Sequence, residues 1–344
     1  MIELIRRRVS GATYYILEML KAHFRIIFKS KELEAIRIAD KLNTSSYVAI
    51  IVLKNEAHRV DYLLDYHQSL GFEQFIIIDN ESDDGLHQIV LQRDNTSLFV
   101  ARGSYKKSRF GIDWVNYILK TYCHNKWIMH IDADEYLVYP YCEKTSIQEL
   151  SEIMLKHNQT SLQTIMVDMY SQFPISANVC LPGRNPLETC DLFDRCGYTS
   201  TFENKSNNLW IKGGVRSRLF FENINDGPAL NKSPFLYWKK HYAFLKSAHE
   251  LWPPRLNNGS YNESKYIRGA LLHFKFLSDL TRKIEVEKFR KQHTAEYDSY
   301  SSERIQNADN TKFISTSTTK FTSWESLHSC GIIKCGNGSD KKLC

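Results

Sequence analysis

The run Tyr47-Val48-Ala49-Ile50-Ile51-Val52-Leu53 constrains the fold more than any other stretch of this chain. A strand with one wet face alternates apolar and polar residues, whereas an unbroken run rich in β-branched residues must be covered on both faces, as parallel strands are. Segments farther along the chain repeat the theme. Ala57, Val60, Leu63, Leu64 and His67 recur at helical spacing up to Gly71, a helix stop. Phe75-Ile76-Ile77-Ile78 reads as a second strand, running into the turn residues Asp79-Asn80-Glu81-Ser82-Asp83-Asp84-Gly85. Leu98-Phe99-Val100 is a third strand, Gly111 to Tyr122 a helix, and Trp127-Ile128-Met129-His130-Ile131 a fourth strand. This alternation predicts βαβ units, and so an α/β fold with a mostly parallel sheet flanked by helices.

With 344 residues, 42% of them hydrophobic and 24% charged, the chain can bury one large core. Three segments are expected: residues 1–45, basic, amphipathic and helical; residues 46–300, the main domain, regular through residue 140 and rich in proline and aromatics from 141; and residues 301–344, a polar appendage rich in Ser, Thr and Asn. A helix is expected over Asp279–Gln292.

The net charge of +6 is local, because residues 1–31 hold Arg6, Arg7, Arg8, Lys21, Arg25, Lys29 and Lys31 against Glu3 and Glu18. Ile5, Val9, Ile16, Leu20, Phe24 and Ile27 fall there at roughly helical spacing. Two readings stand open: an interfacial helix making peripheral contact with anionic lipid, or a helix packed on the domain with its basic face in water. Nucleic acid is not an expected partner, since the basic residues lack a paired aromatic platform. No long uninterrupted apolar stretch or signal-peptide pattern is evident, so the expected location is cytoplasmic, peripheral at the inner face of the membrane. The eight cysteines lack close-paired metal spacing and are expected as free thiols. The sequon Asn80-Glu81-Ser82 lies in the turn after the second strand, where a glycan would obstruct binding.

In parallel sheets, ligands bind beyond the carboxyl ends of the strands. Three polar clusters fall there: Lys54-Asn55-Glu56, Asp79 with Asn80 and their neighbours, and Asp132-Ala133-Asp134-Glu135. Two carboxylates one residue apart at a strand end point the same way. They suit Mn2+ or Mg2+ bridging a diphosphate, since such ions keep few protein ligands. Turn capping by Asp132 and Asp79, with Asp134 solvated, is the bland alternative. No G-x-x-x-x-G-K-[ST] or G-x-G-x-x-G follows the first strand, which disfavours NTPases and dinucleotide oxidoreductases.

The stretch Val52 to Glu56, the run Leu70 to Asn80 with Ser82 and Asp84-Gly85, and Trp127 through Asp132-Ala133-Asp134-Glu135-Tyr136-Leu137 together resemble the family-two-type glycosyltransferases. More narrowly they are similar to a bacterial subgroup distantly related to galactan-type β-galactosyltransferases. The segments Gly213 to Phe220 and Leu271 to Leu277 extend the likeness, which covers roughly residues 46–300. It implies a GT-A fold with a nucleotide-sugar half (46–140) and an acceptor half (141–300). The implied activity is metal-dependent, hexosyltransferase-type transfer from a nucleotide-sugar donor to a saccharide or lipid-linked saccharide acceptor, in cell-surface polysaccharide synthesis. On this likeness Asp132 and Asp134 hold the metal with His273, whose neutral imidazole is a competent ligand. His249 has a weaker claim on diphosphate or acceptor. Arg216 and Arg218 beside Gly213-Gly214, with Lys275, would reach phosphate or a carboxylated sugar.

Inverting transfer needs a carboxylate to take the acceptor's proton. Asp168 is the first candidate, with Glu188, Asp191 and Asp194 behind it; a retaining enzyme needs none. The alternatives are a nucleotidyltransferase, which would want a Gly-rich phosphate loop after the first strand, a glycoside hydrolase, whose carboxylates flank a sugar from opposite sides, and a non-catalytic carbohydrate-binding protein on the same fold.

Overall fold

The computed structural model describes residues 2–245, 247–257, 265–290, 292 and 313–336, with side chains for all of these except 2–12, 14, 15 and 287–289. It opens on helix α1 (Ile2–Lys29), then strands β1 (Leu33–Arg37) and β2 (Tyr47–Leu53). Helix α2 (Ala57–Ser69), β3 (Gln74–Asp79), α3 (Leu86–Leu91), β4 (Thr96–Ala101), α4 (Ile112–Tyr122) and β5 (Lys126–Asp132) follow. The expected alternation is therefore present: β2 has the bounds of its apolar run, and β3, β4 and β5 extend two or three residues beyond theirs.

β4, β3, β2 and β5 pair in parallel in that order. β2 shows why its sequence is continuously apolar. Ala49, Ile51 and Leu53 pack toward α2 and α5 (Ile147–Lys156), while Val48, Ile50 and Val52 pack toward α4. α5 begins with a capping box, Ser146 accepting from the Glu149 amide while Glu149 reaches back to Ser146.

Beyond β5 the sheet turns mixed. β6 (Glu135–Val138), β7 (Ser161–Asp168), β11 (Asn231–Trp238) and β14 (Arg268–His273) complete nine strands in the order β1-β4-β3-β2-β5-β11-β7-β14-β6. β11 is antiparallel to both β5 and β7, and β14 runs parallel to β7. Between them lie β8 (Leu192–Asp194), β9 (Tyr198–Glu203) and β10 (Asn208–Gly213), then α6 (Gly214–Phe220), β12 (Ala243–Phe244) and β13 (Leu251–Trp252). Helix α7 (Leu280–Arg290), β15 (Thr318–Lys320) and α8 (Trp324–Ser329) close the described chain.

Both terminal segments join this body. β1, within the N-terminal segment, is the sheet's antiparallel edge strand against β4. In the segment read as a polar appendage, β15 pairs with β8, and Phe313, Trp324, Leu327, Ile332 and Ile333 are buried. Sparse apolar residues there hid a docking function that composition alone does not reveal. The parts of that segment at 301–312 and 337–344 lie outside the described residues. All seven described cysteines are free thiols. No helix among the described residues is long and apolar enough to cross a membrane.

Candidate active site

A cleft of about 840 Å³ opens at the carboxyl ends of the parallel strands, where ligands of such sheets bind. The loop after β2 contributes Lys54, Asn55 and Glu56, that after β3 Asn80, and the end of β5 Asp132 to Glu135. α4 starts at the rim after Gly111, whose φ of +80° and 2.9 Å separation between a Cβ built there and Val52 leave little room for a side chain.

The loops after β2 and β3 are laced together. Lys54 Nζ donates to the Asn80 and Glu81 carbonyls at 2.9 and 2.7 Å, and the Asn55 amide donates to Ser82 Oγ at 2.8 Å. Asn80, from the sequon, is buried and donates its side-chain amide to the Ala101 and Gly103 carbonyls. Asp79 is fully buried below the cleft, accepting from the Ser82 amide and hydroxyl and facing His87 Nε2 at 2.8 Å. It serves the turn, and the cleft wall at this point is Asn80.

Asp132 is 46% exposed, and its Oδ2 accepts from Lys232 Nζ at 2.7 Å. The same ammonium donates to Glu135 Oε1 at 2.6 Å, and Glu135 Oε2 accepts the Asp132 backbone amide at 3.0 Å. Burial disfavours charge on Asp132, but Lys232 and then His130 hold its carboxyl below the usual range. Glu135 is completely buried, and burial outweighs Lys232 to raise its pKa.

Asp134 is 24% exposed and faces His273 Nε2 at 3.4 Å; His273 Nδ1 bonds Asp168 Oδ1 at 2.6 Å, and Asp168 Oδ2 accepts from Arg216 Nε at 2.8 Å. Against burial, Asp134 and then Asp168 push the His273 pKa up to about 9. Against burial again, Arg216 and His273 keep Asp168 below the normal carboxylate range. Asp168 is thus enclosed behind His273, both oxygens engaged, where no acceptor hydroxyl reaches it directly.

The remaining expected residues separate. Arg216 and Lys275 line the cleft. Arg218 does not: the segment after Gly213 is the helix α6, and residues two apart on a helix diverge. Arg218 bonds Asp194 and the Phe313 carbonyl instead. Asp191 pairs with Lys320 and Glu188 with Arg184, and neither lines the cleft. His249 does line it, its Nδ1 at 2.6 Å from the Asn231 carbonyl, and burial takes its pKa down to about 4.

Several lining residues carry no mark in a single sequence. Lys232 sits between Asn231 and Ser233 at the start of β11, and Arg59, Arg109, Asp226 and α7's Arg282, Lys283 and Arg290 come from scattered elements. The basic i, i+8 spacing of Arg282 and Arg290 on the expected last helix was the one available hint. In all, nine lysine and arginine side chains face five carboxylates. Such a wall suits a polyanion.

Among the described residues, Glu56, His58 and Asp279 bring ligand atoms within 4.8 Å of one another. Cations already fill that group. Arg59 and Lys283 bridge both carboxylates, and Arg59 Nε donates to His58 Nε2 at 3.0 Å. Asp132 and Asp134 fit a divalent ion better. Each is a hard oxygen donor on the cleft wall with one carboxylate oxygen unpartnered among the described residues. The Asp168–His273 contact fixes the imidazole with its Nε2 turned toward Asp134, an orientation a carboxylate–imidazole pair can give a ligating histidine.

No family model matches the chain. A glycosyltransferase family 92 protein of Oryza sativa subsp. japonica is 28% identical over 92 residues, which are 26% of this chain and 15% of that protein. Among solved structures, a mannosyltransferase from Pyrobaculum calidifontis in complex with GDP-Man and Mn2+ shares 14% identity, covering 48% of this chain and 46% of that one, with a TM-score of 0.26. HddC from Yersinia pseudotuberculosis shares 11% identity over 71% of this chain and 99% of that one, at a TM-score of 0.34. The chain covers 62% of a 4-diphosphocytidyl-2C-methyl-D-erythritol synthase, using 36% of its own length, at 12% identity and a TM-score of 0.25.

Proposed function

We propose that this protein is a metal-dependent glycosyltransferase, moving a sugar from a nucleotide-sugar to a saccharide or lipid-linked saccharide acceptor. The observation that carries the reading is the pair Asp132 and Asp134, half-open on the floor of a cation-rich cleft at the carboxyl end of β5. The short match to a plant glycosyltransferase supports it. The finer placement, with the bacterial family-two-type subgroup, rests on the motif residues quoted from the sequence.

Asp132 and Asp134 would hold Mn2+ or Mg2+, with His273 joining through Nε2 once it gives up its proton. When bound, the ion offsets charge developing on the departing nucleoside diphosphate. Lys54, Asn55 and Asn80 shape the donor end, while Arg216, Lys275 and α7's cations face the diphosphate. Asp168 orients His273 and is a positioning residue. The acceptor's proton goes to Asp226. Of the five carboxylates lining the cleft, Glu56, Asp132, Asp134 and Glu135 are each tied to a cation or to His273, whereas the exposed Asp226 side chain has no partner among the described residues.

Thermal unfolding with a panel of nucleoside diphosphates, each with and without Mn2+, tests the site. One class of nucleotide should stabilise the protein only with the metal present, by several kcal/mol at saturation. Asp134→Ala should lose that shift, read against the variant's own unliganded transition, which falls because His273 loses its carboxylate partner. If no combination moves the transition of the wild-type protein, the nucleotide assignment is lost.

A further inference from the structure

Helix α1 is amphipathic in the wrong sense for a helix packed on a globular domain. The face it turns inward is narrow and mixed, two buried apolar residues beside one arginine. Ala22 and Ile26 are buried, Arg25 Nε donates to Asp113 Oδ2 at 3.0 Å and Arg25 also donates to the Lys107 carbonyl at 2.5 Å. Just beyond, Lys29 bonds Glu32, which accepts from Trp114 Nε1 of α4 at 2.9 Å. The helix is therefore fastened to α4 at its carboxyl end.

The face it turns outward is apolar. Ile16, Leu17, Leu20, Phe24, Ile27 and Phe28 are each 45–67% exposed, and at 100° per residue they share one arc of roughly 120°. Water is a poor partner for six such side chains in one stripe. Along the described part of the helix, cationic Lys21, 67% exposed, borders the stripe, and the acidic Glu18, 18% exposed, is bonded to Lys21. The whole segment carries seven basic residues against two acidic ones.

We infer that α1 lies flat on an anionic phospholipid surface, its apolar stripe in the headgroup boundary and the exposed Lys21 beside it against lipid phosphates. Charge selects this occupant over a second copy of the chain, since two such helices face to face would juxtapose the same cationic segment. Span is excluded by composition, the helix being too polar to cross a bilayer. Docking also fixes where the cleft sits. Asp113, which takes Arg25 through one oxygen, takes Arg109 of the cleft lining through the other. The cleft rim beside α4 is thereby tied to the inner face of the helix whose outer face meets the lipid. The inference concerns α1 and stands apart from the transferase reading.

Co-sedimentation of the full chain with phosphatidylcholine vesicles, with and without phosphatidylglycerol, reads this directly and needs no activity. The wild-type protein should bind the anionic vesicles, less so as salt rises. The double variant Phe24→Glu, Phe28→Glu should bind at least about tenfold more weakly. Both positions are exposed, so circular dichroism and the melting transition should be unchanged. Equal binding by wild type and variant, or no binding by the wild type, overturns the inference. So does a wild-type dimer in analytical ultracentrifugation that the variant splits, which would assign the stripe to a second copy.

Discussion

Asp226 and Asp168 show how little a residue's type says about its task. Both lie between residues 141 and 300, and the sequence favoured Asp168 as proton acceptor because it follows Asp132-Ala133-Asp134. Folding puts Asp168 at the end of β7 beside His273 at the end of β14, two strands paired in parallel, so its charge is spent on that histidine and on Arg216. Asp226, in a short turn that no periodicity marks, is left facing the cleft. Replacing Asp226 with Asn keeps the size and removes the base, so turnover should fall by about 10²–10⁴-fold while the metal-dependent thermal shift with nucleotide persists. Wild-type turnover in that variant would remove the assignment. Asp132 and Asp134 were legible because their spacing and strand-end position are local properties. Lys232, which neutralises Asp132 from 100 positions away in the sequence, was not, because nothing local distinguishes a buried lysine awaiting two carboxylates from one at a strand's wet edge.

The elements divide by the range of the forces that specify them. β2, β3 and β5 are covered on both faces, which writes a continuous apolar run into the chain, and their helices carry ordinary periodic faces and caps; these were read nearly to the residue. β11 and β14 insert between strands distant in sequence, and their pairing was not legible from runs interrupted by Lys232, Ser233 and Pro234 or by Gly269. Gly213-Gly214 carries no helix signal of its own, yet Gly214 begins a short helix. The C-terminal segment is the clearest case. Its few apolar residues are spent efficiently, Trp324 packing on Tyr141 at a 4.4 Å ring separation and Ile333 fully buried. Trp324→Ala should therefore destabilise the whole protein by about 3 kcal/mol or more, seen as a lower urea midpoint with an unchanged slope. An unmoved midpoint would show that α8 adds nothing to the core.

At the scale of the whole molecule, buried histidines set the acid side of stability. His67 and His130 are buried and His249 is half-buried on the cleft wall, and burial, the largest cause in each case, takes their pKa values down to about 4. An unfolded histidine titrates near ~6.5. As pH falls from there toward 4, the unfolded chain gains protons that the folded one refuses, so stability is lost across that window at up to ~1.4 kcal/mol per pH unit for each histidine. The depressed carboxylates Asp134 and Asp168 act elsewhere. Their folded pKa values lie below the usual carboxylate range, so the stability they add is present above pH ~4 and is lost as pH falls further. His273 has the opposite sign. With its folded pKa at about 9, its contribution in metal-free protein is complete below ~6.5 and disappears as pH rises through 9. Metal-free protein should thus be most stable near neutrality. His67 isolates the acid limb, because it stacks on Tyr136 with its Nδ1 on the Leu63 carbonyl, away from the cleft lining. In His67→Gln, whatever the change at pH 7, the free energy of unfolding between pH 6.5 and 4.5 should fall less steeply than in the wild type, by ~1 kcal/mol per pH unit. Parallel curves for the two proteins would mean that His67 takes up its proton in the folded state as readily as in the unfolded chain.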